Sequence, residues 1–425
     1  MSYSLEHLNR LNQIHTDKDI KALSYAVFPG THCPLFGVAL TASYIQKLGM
    51  IVVGTGECTY YTKHFAYHRQ EGHDQVYSLV LKDQDVVFGA SEKVKKAVKE
   101  IVEMDELEAV MIVSTCVPEL IGEDYSAIKE ELEEALKIPV LSVQTEHFKC
   151  NTHIPGMVRT LGALSELMED WQDEKEGVNI LGHRQGNIAE TELMTLLAKH
   201  NIGINCAIPS SATIEKLKTA SKVKLNIVTD QMAITLAEEM KKRFGIPFIY
   251  FGKAMDKAQL QSLYKTIQET LEIDLTEDLA PLEREYNALV MQCKERLGGK
   301  KLIYGNTPMM AFETVDFLTD LGLEPIFIQV RELYDVDVPF KERLIQKGFN
   351  PYVSRIANIA PLRTLYGAMG GDIYVGHESP VLLKQHGLTQ MTFDNEAQNI
   401  GYSLPIAVMK HILFLVEGGH AHGNV

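Results

Sequence analysis

The sequence lacks several features that would place it in other classes of protein. It has no run of about 18 apolar residues, so no segment is predicted to span a membrane. Its 41 Lys and Arg against 56 Asp and Glu give a net charge of -15, which argues against a nucleic-acid partner. The first residues show no basic stretch followed by an apolar one, so no secretory signal is predicted and we expect a cytoplasmic location.

Cysteine is also scarce. Six cysteines among 425 residues are a poor basis for a disulfide framework in a protein of this kind. Metal binding, catalysis and simple burial therefore remain as roles for these thiols. If they bind a metal cluster, we expect a reducing, anaerobic environment.

The remaining composition is that of a globular protein with two or three domains. Short β-branched segments alternate with amphipathic helical segments, which predicts an α/β fold of three Rossmann-like, doubly wound parallel-sheet units. A polar, charged stretch at 170–177 and a Gly-Gly turn at 298–299 predict the domain boundaries. The predicted domains are therefore 1–172, 173–297 and 298–425. Strands are predicted at 50–53, 109–113, 139–143, 178–181, 223–228, 247–251, 300–304, 324–329 and 372–375.

Three cysteines lie where predicted strands end and loops or helices begin. Cys33, Cys58 and Cys116 are 25 and 58 residues apart, so they come from three different connections of the first domain. The carboxyl ends of parallel strands are where open α/β sheets bind ligands. Thiolates that converge there indicate a metal or iron–sulfur site, whereas burial in the core is the alternative.

The segments around these cysteines resemble nitrogenase component 1, the catalytic component, and its relatives. Cys33 begins the segment CPLFGVA, Cys58 ends GTGEC, and Cys116 lies in STCVPELIGED. The segment DVVFGA at 85–90 is similar to a Val-Phe-Gly-Gly segment of that family. The resemblance continues more weakly along the chain, for example at KLNIV, residues 224–228.

The resemblance implies three Rossmann-like domains in each subunit, and an iron–sulfur cluster that the three cysteines hold at a subunit interface. It also implies a homologous partner subunit, in a heterotetramer or alternatively a homodimer, and a separate ATP-dependent iron–sulfur reductase. An eight-iron [8Fe-7S] P-cluster-like group is expected if the partner also offers three cysteines, and a [4Fe-4S] cluster if it offers one ligand. Since no Gly-x-x-x-x-Gly-Lys-Ser/Thr motif is present, ATP hydrolysis is assigned to the reductase.

The sequence also departs from the family. Asp230 stands where dinitrogen-reducing subunits have the cysteine that anchors the catalytic cofactor, and a carboxylate is a poor substitute for a thiolate there. The second cofactor ligand of those subunits, a histidine, has no clear match at 392–395. A second metallocofactor would thus be held mainly by the partner. Alternatively, the chain belongs to a branch with another active site, such as the reductases of protochlorophyllide, nickel tetrapyrroles or thioethers, or the cofactor-assembly scaffolds.

Further residues are predicted to contact a cofactor or substrate from the strand ends. Gly54, Gly56 and Gly89 would permit close backbone approach to a cluster, or else form ordinary tight turns. The other candidates are polar, and their alternative role is that of loop residues that cap helices: His183, Arg184, Asn187, Asp230, His377 and Glu378.

The remaining cysteines and the tail are assigned weaker roles. Cys150 is expected either to line the cluster or electron-entry region or to pack in the interior. Cys206 and Cys293 are predicted to be core residues, and the His-containing tail at 418–423 is predicted to fray.

These observations predict a subunit of a nitrogenase-like oxidoreductase that relays low-potential electrons through an interfacial cluster to an unreactive substrate bond. Two other functions stay open. One is a non-catalytic scaffold for assembly of a complex iron–sulfur cofactor. The other is a metal-free α/β protein that binds a small molecule.

Overall fold

The structure of the chain is a computed structural model that describes most of the sequence. The described residues are 4–24, 33–67, 75–150, 152–171, 175–184, 188–305, 307, 309–356 and 360–418. Asn187, the histidines of the tail and the residues just before Cys33 lie outside them.

Fourteen strands and eighteen α-helices are described in these residues. The strands are β1 Asn9–Arg10, β2 Leu48–Gly54, β3 Val76–Val80, β4 Ala109–Ser114, β5 Val140–Gln144, β6 Val178–His183, β7 Ile204–Pro209, β8 Leu225–Val228, β9 Phe248–Tyr250, β10 Lys301–Tyr304, β11 Glu324–Val330, β12 Tyr352–Arg355, β13 Ile373–Val375 and β14 Thr389–Met391. The helices are α1 Pro34–Ala42, α2 Gly56–Tyr67, α3 Asp83–Phe88, α4 Ser91–Met104, α5 Cys116–Ile121, α6 Tyr125–Leu136, α7 Ile154–Leu164, α8 Glu192–Lys199, α9 Ile214–Lys218, α10 Ile234–Phe244, α11 Lys257–Leu271, α12 Thr276–Leu297, α13 Ala311–Asp320, α14 Val338–Gln346, α15 Ala360–Arg363, α16 Tyr366–Met369, α17 Pro380–Gln385 and α18 Ser403–Val416.

The first sheet is fully parallel and has the order β3-β2-β4-β5. Its central strands β2 and β4 are buried along their whole length, as expected for strands covered by helices on both faces. Met50 and Val52 pack into one apolar core, whereas Ile51 and Val53 pack into another on the opposite face. The strand order reverses between β2 and β4, which makes their carboxyl ends a topological switch point.

The second sheet repeats this arrangement. Its order is β7-β6-β8-β9, all parallel, so its switch point lies between β6 and β8. The third sheet has the order β1-β12-β11-β10-β13-β14, in which only β1 runs antiparallel. Its switch point lies between β10 and β13. Parallel sheets with interposed helices confirm the predicted α/β fold.

The chain forms two compact units. One contains Pro29–Ile188 and Asn201–Gly252, and it carries the first and second sheets. The other contains Met1–Phe28, Ala189–His200 and Lys253–Val425, and it carries the third sheet. These units do not follow the three predicted ranges, so the boundaries near residues 172 and 297 stay a prediction.

Buried positions agree with the apolar patterning of the sequence. Cys206 and Cys293 are fully buried, which confirms that they are core residues. Among the described residues, no helix is both long enough and apolar enough to cross a membrane.

Candidate functional site

Cys33 is held at the start of α1 by an unusually close contact between α1 and α7. It is the residue that precedes the helix, and all nine residues of α1 are buried. A Cβ added to Gly37 would lie 1.9 Å from the carbonyl oxygen of His153, and one added to Gly156 would lie 1.9 Å from that of Pro34. Glycine is therefore required at both positions. This contact fixes the backbone that carries the first thiol.

Cys58 lies in the first turn of α2, directly after the central strand β2. Its sulfur accepts a hydrogen bond from the hydroxyl of Thr55 at 3.4 Å. The preceding Gly56 is under little steric constraint, since an added Cβ would meet only Val80 at 3.6 Å. Gly56 is the first residue of α2, and the described residues around it do not require glycine there.

Cys116 is the first residue of α5, directly after β4. The Thr115 hydroxyl donates to the carbonyl oxygen of Val53 at 2.9 Å. A Cβ on Gly54 would lie 2.0 Å from that hydroxyl oxygen, so only glycine lets the two strand ends approach this closely. Since β2 and β4 are neighbours, Cys58 and Cys116 both lie at the switch point of the first sheet.

The three thiols interact with one another electrostatically. All three are half-buried. Burial raises the pKa of Cys33, and the thiols of Cys58 and Cys150 raise it further, although backbone N–H groups of α1 lower it. Burial also raises the pKa of Cys116, with contributions from Cys33 and Cys58. The structure therefore brings together the three cysteines singled out in the sequence.

The connection after β5 supplies contacts that the sequence did not reveal. Nδ1 of His147 lies 3.2 Å from the sulfur of Cys116. The carboxylate of Glu119, on α5, accepts hydrogen bonds from the backbone N–H groups of Thr145 and Glu146 at 2.5 and 2.9 Å. Glu119 therefore joins the helix that begins with Cys116 to the connection that carries His147.

Arg159, on α7, contacts the same connection. Its guanidinium donates to the carbonyl oxygen of Thr145 and to the carboxylate of Glu146, both at 2.6 Å. It also donates to the sulfur of Cys150 at 3.5 Å. Cys150 is half-buried, so it is not packed in the core as Cys206 is. No local motif marks Arg159 or Glu119, because their partners come from other elements.

The switch point of the second sheet carries different side chains. His183 is the last residue of β6 and is buried. Arg184 follows it, and its guanidinium lies 3.7 Å from the carboxylate of Asp230, which follows β8. Asp230 also accepts a hydrogen bond from the backbone N–H of Met232 at 3.1 Å, so it caps the helical segment that leads into α10.

The other predicted site residues lie on other elements of the chain. Gly89 ends α3 with φ of 87°, a conformation that favours glycine, and its neighbour Ala90 donates its N–H to Glu123. His377, in the other compact unit, lies 3.0 Å from the carboxylate of Asp394 and is exposed. Glu378 accepts a two-point hydrogen bond from Arg363 at 2.8 and 2.9 Å.

The donor set fits a cluster better than a single metal ion. In the described part of the chain, no three Cys, His, Asp or Glu side chains converge to hold one ion. The thiols at the first sheet instead come from separate elements, as expected for ligands that bind different irons of one cluster. A [4Fe-4S] cluster is usually held by four cysteines, one more than these three.

The chain matches a family described as "Nitrogenase component 1 type Oxidoreductase" over residues 33–388, which is most of its length. The chain belongs to this family. The predicted resemblance is thereby confirmed. Among solved structures, "Nitrogenase Cp1 at pH 6.5" superposes with a TM-score of 0.79, covers 95% of this chain and 97% of that chain, and is 16% identical. At this identity the similarity shows the fold alone.

Curated relatives of this chain include both biosynthesis proteins and a nitrogenase subunit. The nitrogenase iron-molybdenum cofactor biosynthesis protein NifE of Clostridium pasteurianum is 27% identical over 83% of this chain and 79% of its own length. NifE of Methanococcus maripaludis is 26% identical over 64% and 59%. The nitrogenase molybdenum-iron protein alpha chain of C. pasteurianum is 28% identical over 48% and 41%.

Proposed function

We propose that this family member is an iron–sulfur subunit that serves as a scaffold in the biosynthesis of a complex iron–sulfur cofactor. The observation that carries the proposal is the difference between two switch points. The first sheet offers the thiols of Cys58 and Cys116, with Cys33 beside them. The second offers the ion pair of Arg184 and Asp230.

In this proposal, Cys33, Cys58 and Cys116 bind the iron–sulfur cluster as thiolates. When bound, the cluster supplies one-electron transfer at low potential. The three thiols are half-buried, so solvent has limited access to a cluster bound there. The His147 ring orients the sulfur of Cys116, and the Thr55 hydroxyl orients the sulfur of Cys58. Hydrogen bonds to sulfur are one of the means by which proteins set the potential of such clusters.

The cluster is proposed to be shared with a homologous subunit, in a heterotetramer or a homodimer. The nuclearity follows from the ligands that the partner contributes, [8Fe-7S] with three cysteines or [4Fe-4S] with one. An ATP-dependent iron–sulfur reductase is the proposed electron donor.

The residues at the second switch point favour the scaffold function over the reduction of a substrate at this site. A soft iron–sulfur cofactor prefers thiolate to carboxylate, so Asp230 would hold it less firmly than a cysteine. A scaffold has to release its cofactor, and a weaker ligand favours release. Arg184 beside it suits an anionic group on the growing cofactor. The biosynthesis proteins among the relatives support the same function.

Reduction of a substrate is the second candidate function. The family description as an oxidoreductase and the nitrogenase alpha chain among the relatives favour it. In that case the chain would relay electrons from the reductase to an active site held mainly by the partner subunit.

One anaerobic experiment separates these functions. The chain is co-purified with whatever it binds, and iron per chain and the electron paramagnetic resonance spectrum are measured before and after reduction. The complex is then incubated with the ATP-dependent reductase and assayed for transfer of a metal cofactor to a cofactor-free acceptor. Transfer supports the scaffold, and multi-turnover reduction of a small substrate would replace it with the reductase function. A colourless, iron-free complex would refute both and favour a metal-free α/β binding protein.

A further inference from the structure

The connection after β5 adopts an unusual backbone conformation directly before His147. Glu146 has φ of 45°, which lies in the left-handed region that residues other than glycine rarely adopt. Such a conformation persists only where surrounding contacts hold it. The ring of the next residue, His147, lies 3.2 Å from the sulfur of Cys116. The contacts that hold Glu146 therefore also determine where this ring lies.

Glu119 supplies these contacts from α5, the helix that begins at Cys116. Its carboxylate accepts hydrogen bonds from the backbone N–H and the hydroxyl of Thr145 at 2.5 and 3.0 Å, and from the backbone N–H of Glu146 at 2.9 Å. It also accepts one from the hydroxyl of Ser114, at the end of β4, at 2.7 Å. Glu119 thus attaches the connection that carries the ring to the helix that carries the sulfur.

Arg159 holds different groups of the same connection. Its guanidinium contacts the carbonyl oxygen of Thr145 and the side chain of Glu146, both at 2.6 Å, and so links the connection to α7. The hydrogen bonds of Glu119 link it instead to α5. Loss of the Glu119 contacts is therefore expected to move the His147 ring relative to the Cys116 sulfur while the connection stays attached to α7.

We propose that Glu119 is a positioning residue for the cluster, which holds the His147 ring so that Nδ1–H donates a hydrogen bond to the Cys116 thiolate. This inference rests on the proposed cluster and extends it to a residue that binds no iron. A thiolate ligand has no proton to donate, so the ring nitrogen has to be the donor. A hydrogen bond to a ligand sulfur stabilises the more negative, reduced cluster and so raises its reduction potential.

Glu119→Gln is the informative variant, because glutamine has nearly the same size but replaces one accepting oxygen by an NH2 donor. Whichever way the amide is turned, its NH2 group would face the backbone N–H of Thr145 or of Glu146. Glu123→Gln is the matched control. It changes a carboxylate that follows the same helix but accepts from the backbone N–H of Ala90.

The test uses the full chain, purified anaerobically with its bound partner, as wild type, Glu119→Gln, Glu123→Gln, His147→Phe and the double variant with Glu119→Gln and His147→Phe. Iron per chain, iron retention against a chelator, the reduction potential of the cluster and the unfolding temperature are measured. We expect Glu119→Gln to lower the reduction potential in the same direction as His147→Phe and to weaken iron retention by roughly 10- to 100-fold. The double variant should match His147→Phe, because both changes remove the same hydrogen bond, and Glu123→Gln should match wild type.

The outcomes distinguish this inference from the proposed function. An iron-free wild type would refute the proposed cluster and the inference with it. If wild type holds iron and Glu119→Gln keeps the wild-type potential, or shifts it when His147→Phe does not, only the positioning role is refuted. If Glu119→Gln unfolds at a lower temperature, the double variant decides. A potential equal to that of His147→Phe supports the inference, whereas a shift equal to the sum of the two single shifts overturns it.

Discussion

The first and second sheets have the same strand order, yet their switch points carry different chemistry. At the first, Cys58 follows β2 and Cys116 follows β4. At the second, Arg184 follows β6 and Asp230 follows β8, and the two side chains form an ion pair. Topology therefore selects where a ligand binds, whereas the residues that follow each strand select which ligand it is.

The difference has a direct consequence for metal preference. Soft thiolates select iron–sulfur clusters, whereas the second edge presents the Asp230 carboxylate 3.7 Å from the Arg184 guanidinium. In the proposed function, the first edge holds a cluster that stays bound, and the second holds a group that binds and leaves.

The largest effect is expected when thiols are removed from the first edge. Cys58→Ala or Cys116→Ala should lower iron content and abolish electron transfer, because each removes a proposed ligand. Iron analysis and the reduced-state spectrum check this result. Cys206→Ala is the matched control, since it removes a thiol that is buried in the core. Unchanged iron content in both Cys58→Ala and Cys116→Ala would refute the assignment of these thiols as cluster ligands.

A buried carboxyl in the other compact unit is expected to affect the stability of the fold and not the binding of iron, unlike the thiols of the first edge. Glu313, on α13, is buried, and its pKa is raised to about 7, mainly by burial. Because the folded state holds this proton more tightly than the unfolded state, stability is full below the usual pKa of 4.5 and falls as pH rises through about 7. Glu313→Gln should remove about 3 kcal/mol of this pH dependence.

Urea unfolding of wild type and Glu313→Gln at several pH values measures this effect. Asp337, whose pKa is also raised to about 7 by burial, leaves a residual slope in the variant. If the free energy of unfolding varied with pH in the same way for both proteins, Glu313 would be ionised in the folded state at neutral pH. Iron content should be the same in both, in contrast to the cysteine variants.

Loss of the imidazole nitrogen beside Cys116 should lower iron retention less than loss of a thiol does. His147→Phe removes the nitrogen that lies 3.2 Å from the sulfur. Loss of such an outer-shell partner should weaken iron retention by roughly 10- to 100-fold, measured by a chelator titration. Phe148→Ala, which truncates the exposed neighbouring ring, is the control and should retain wild-type affinity. Equal affinity for His147→Phe and wild type would remove His147 from the site.

The smallest effect is expected at the second edge. Asp230→Ala removes a helix cap and should cost about 1 kcal/mol of stability. The cluster at the first edge should keep its iron and spectrum, because its proposed ligands lie on another sheet. Loss of the cluster spectrum in this variant would show that the two edges are not independent.

Much of the fold follows from local sequence, and the rest depends on tertiary context. The central strands β2, β4, β6 and β8 were predictable because they are short, mostly apolar segments that are buried along their length. The edge strand β3 was not, since its residues are mostly exposed or half-buried. The pairing of Asn9–Arg10 with β12 joins residues more than 300 positions apart and has no local signal.

The site divides in the same way. Cys58 and Cys116 were predictable because each directly follows a recognisable strand. His147, Glu119 and Arg159 were not, because their contacts with the thiol-bearing elements exist only after β4, β5 and α7 come together. Side chains that orient metal ligands have no characteristic spacing in the sequence from which they could be predicted.

The most direct measurement is the iron content of the anaerobically purified chain together with its partner, read with the spectrum of the reduced protein. We predict a brown protein with an iron–sulfur spectrum that is lost in Cys58→Ala and retained in Asp230→Ala. A colourless, iron-free wild-type protein, or one whose spectrum survives Cys58→Ala and Cys116→Ala, would contradict a cluster at the first switch point.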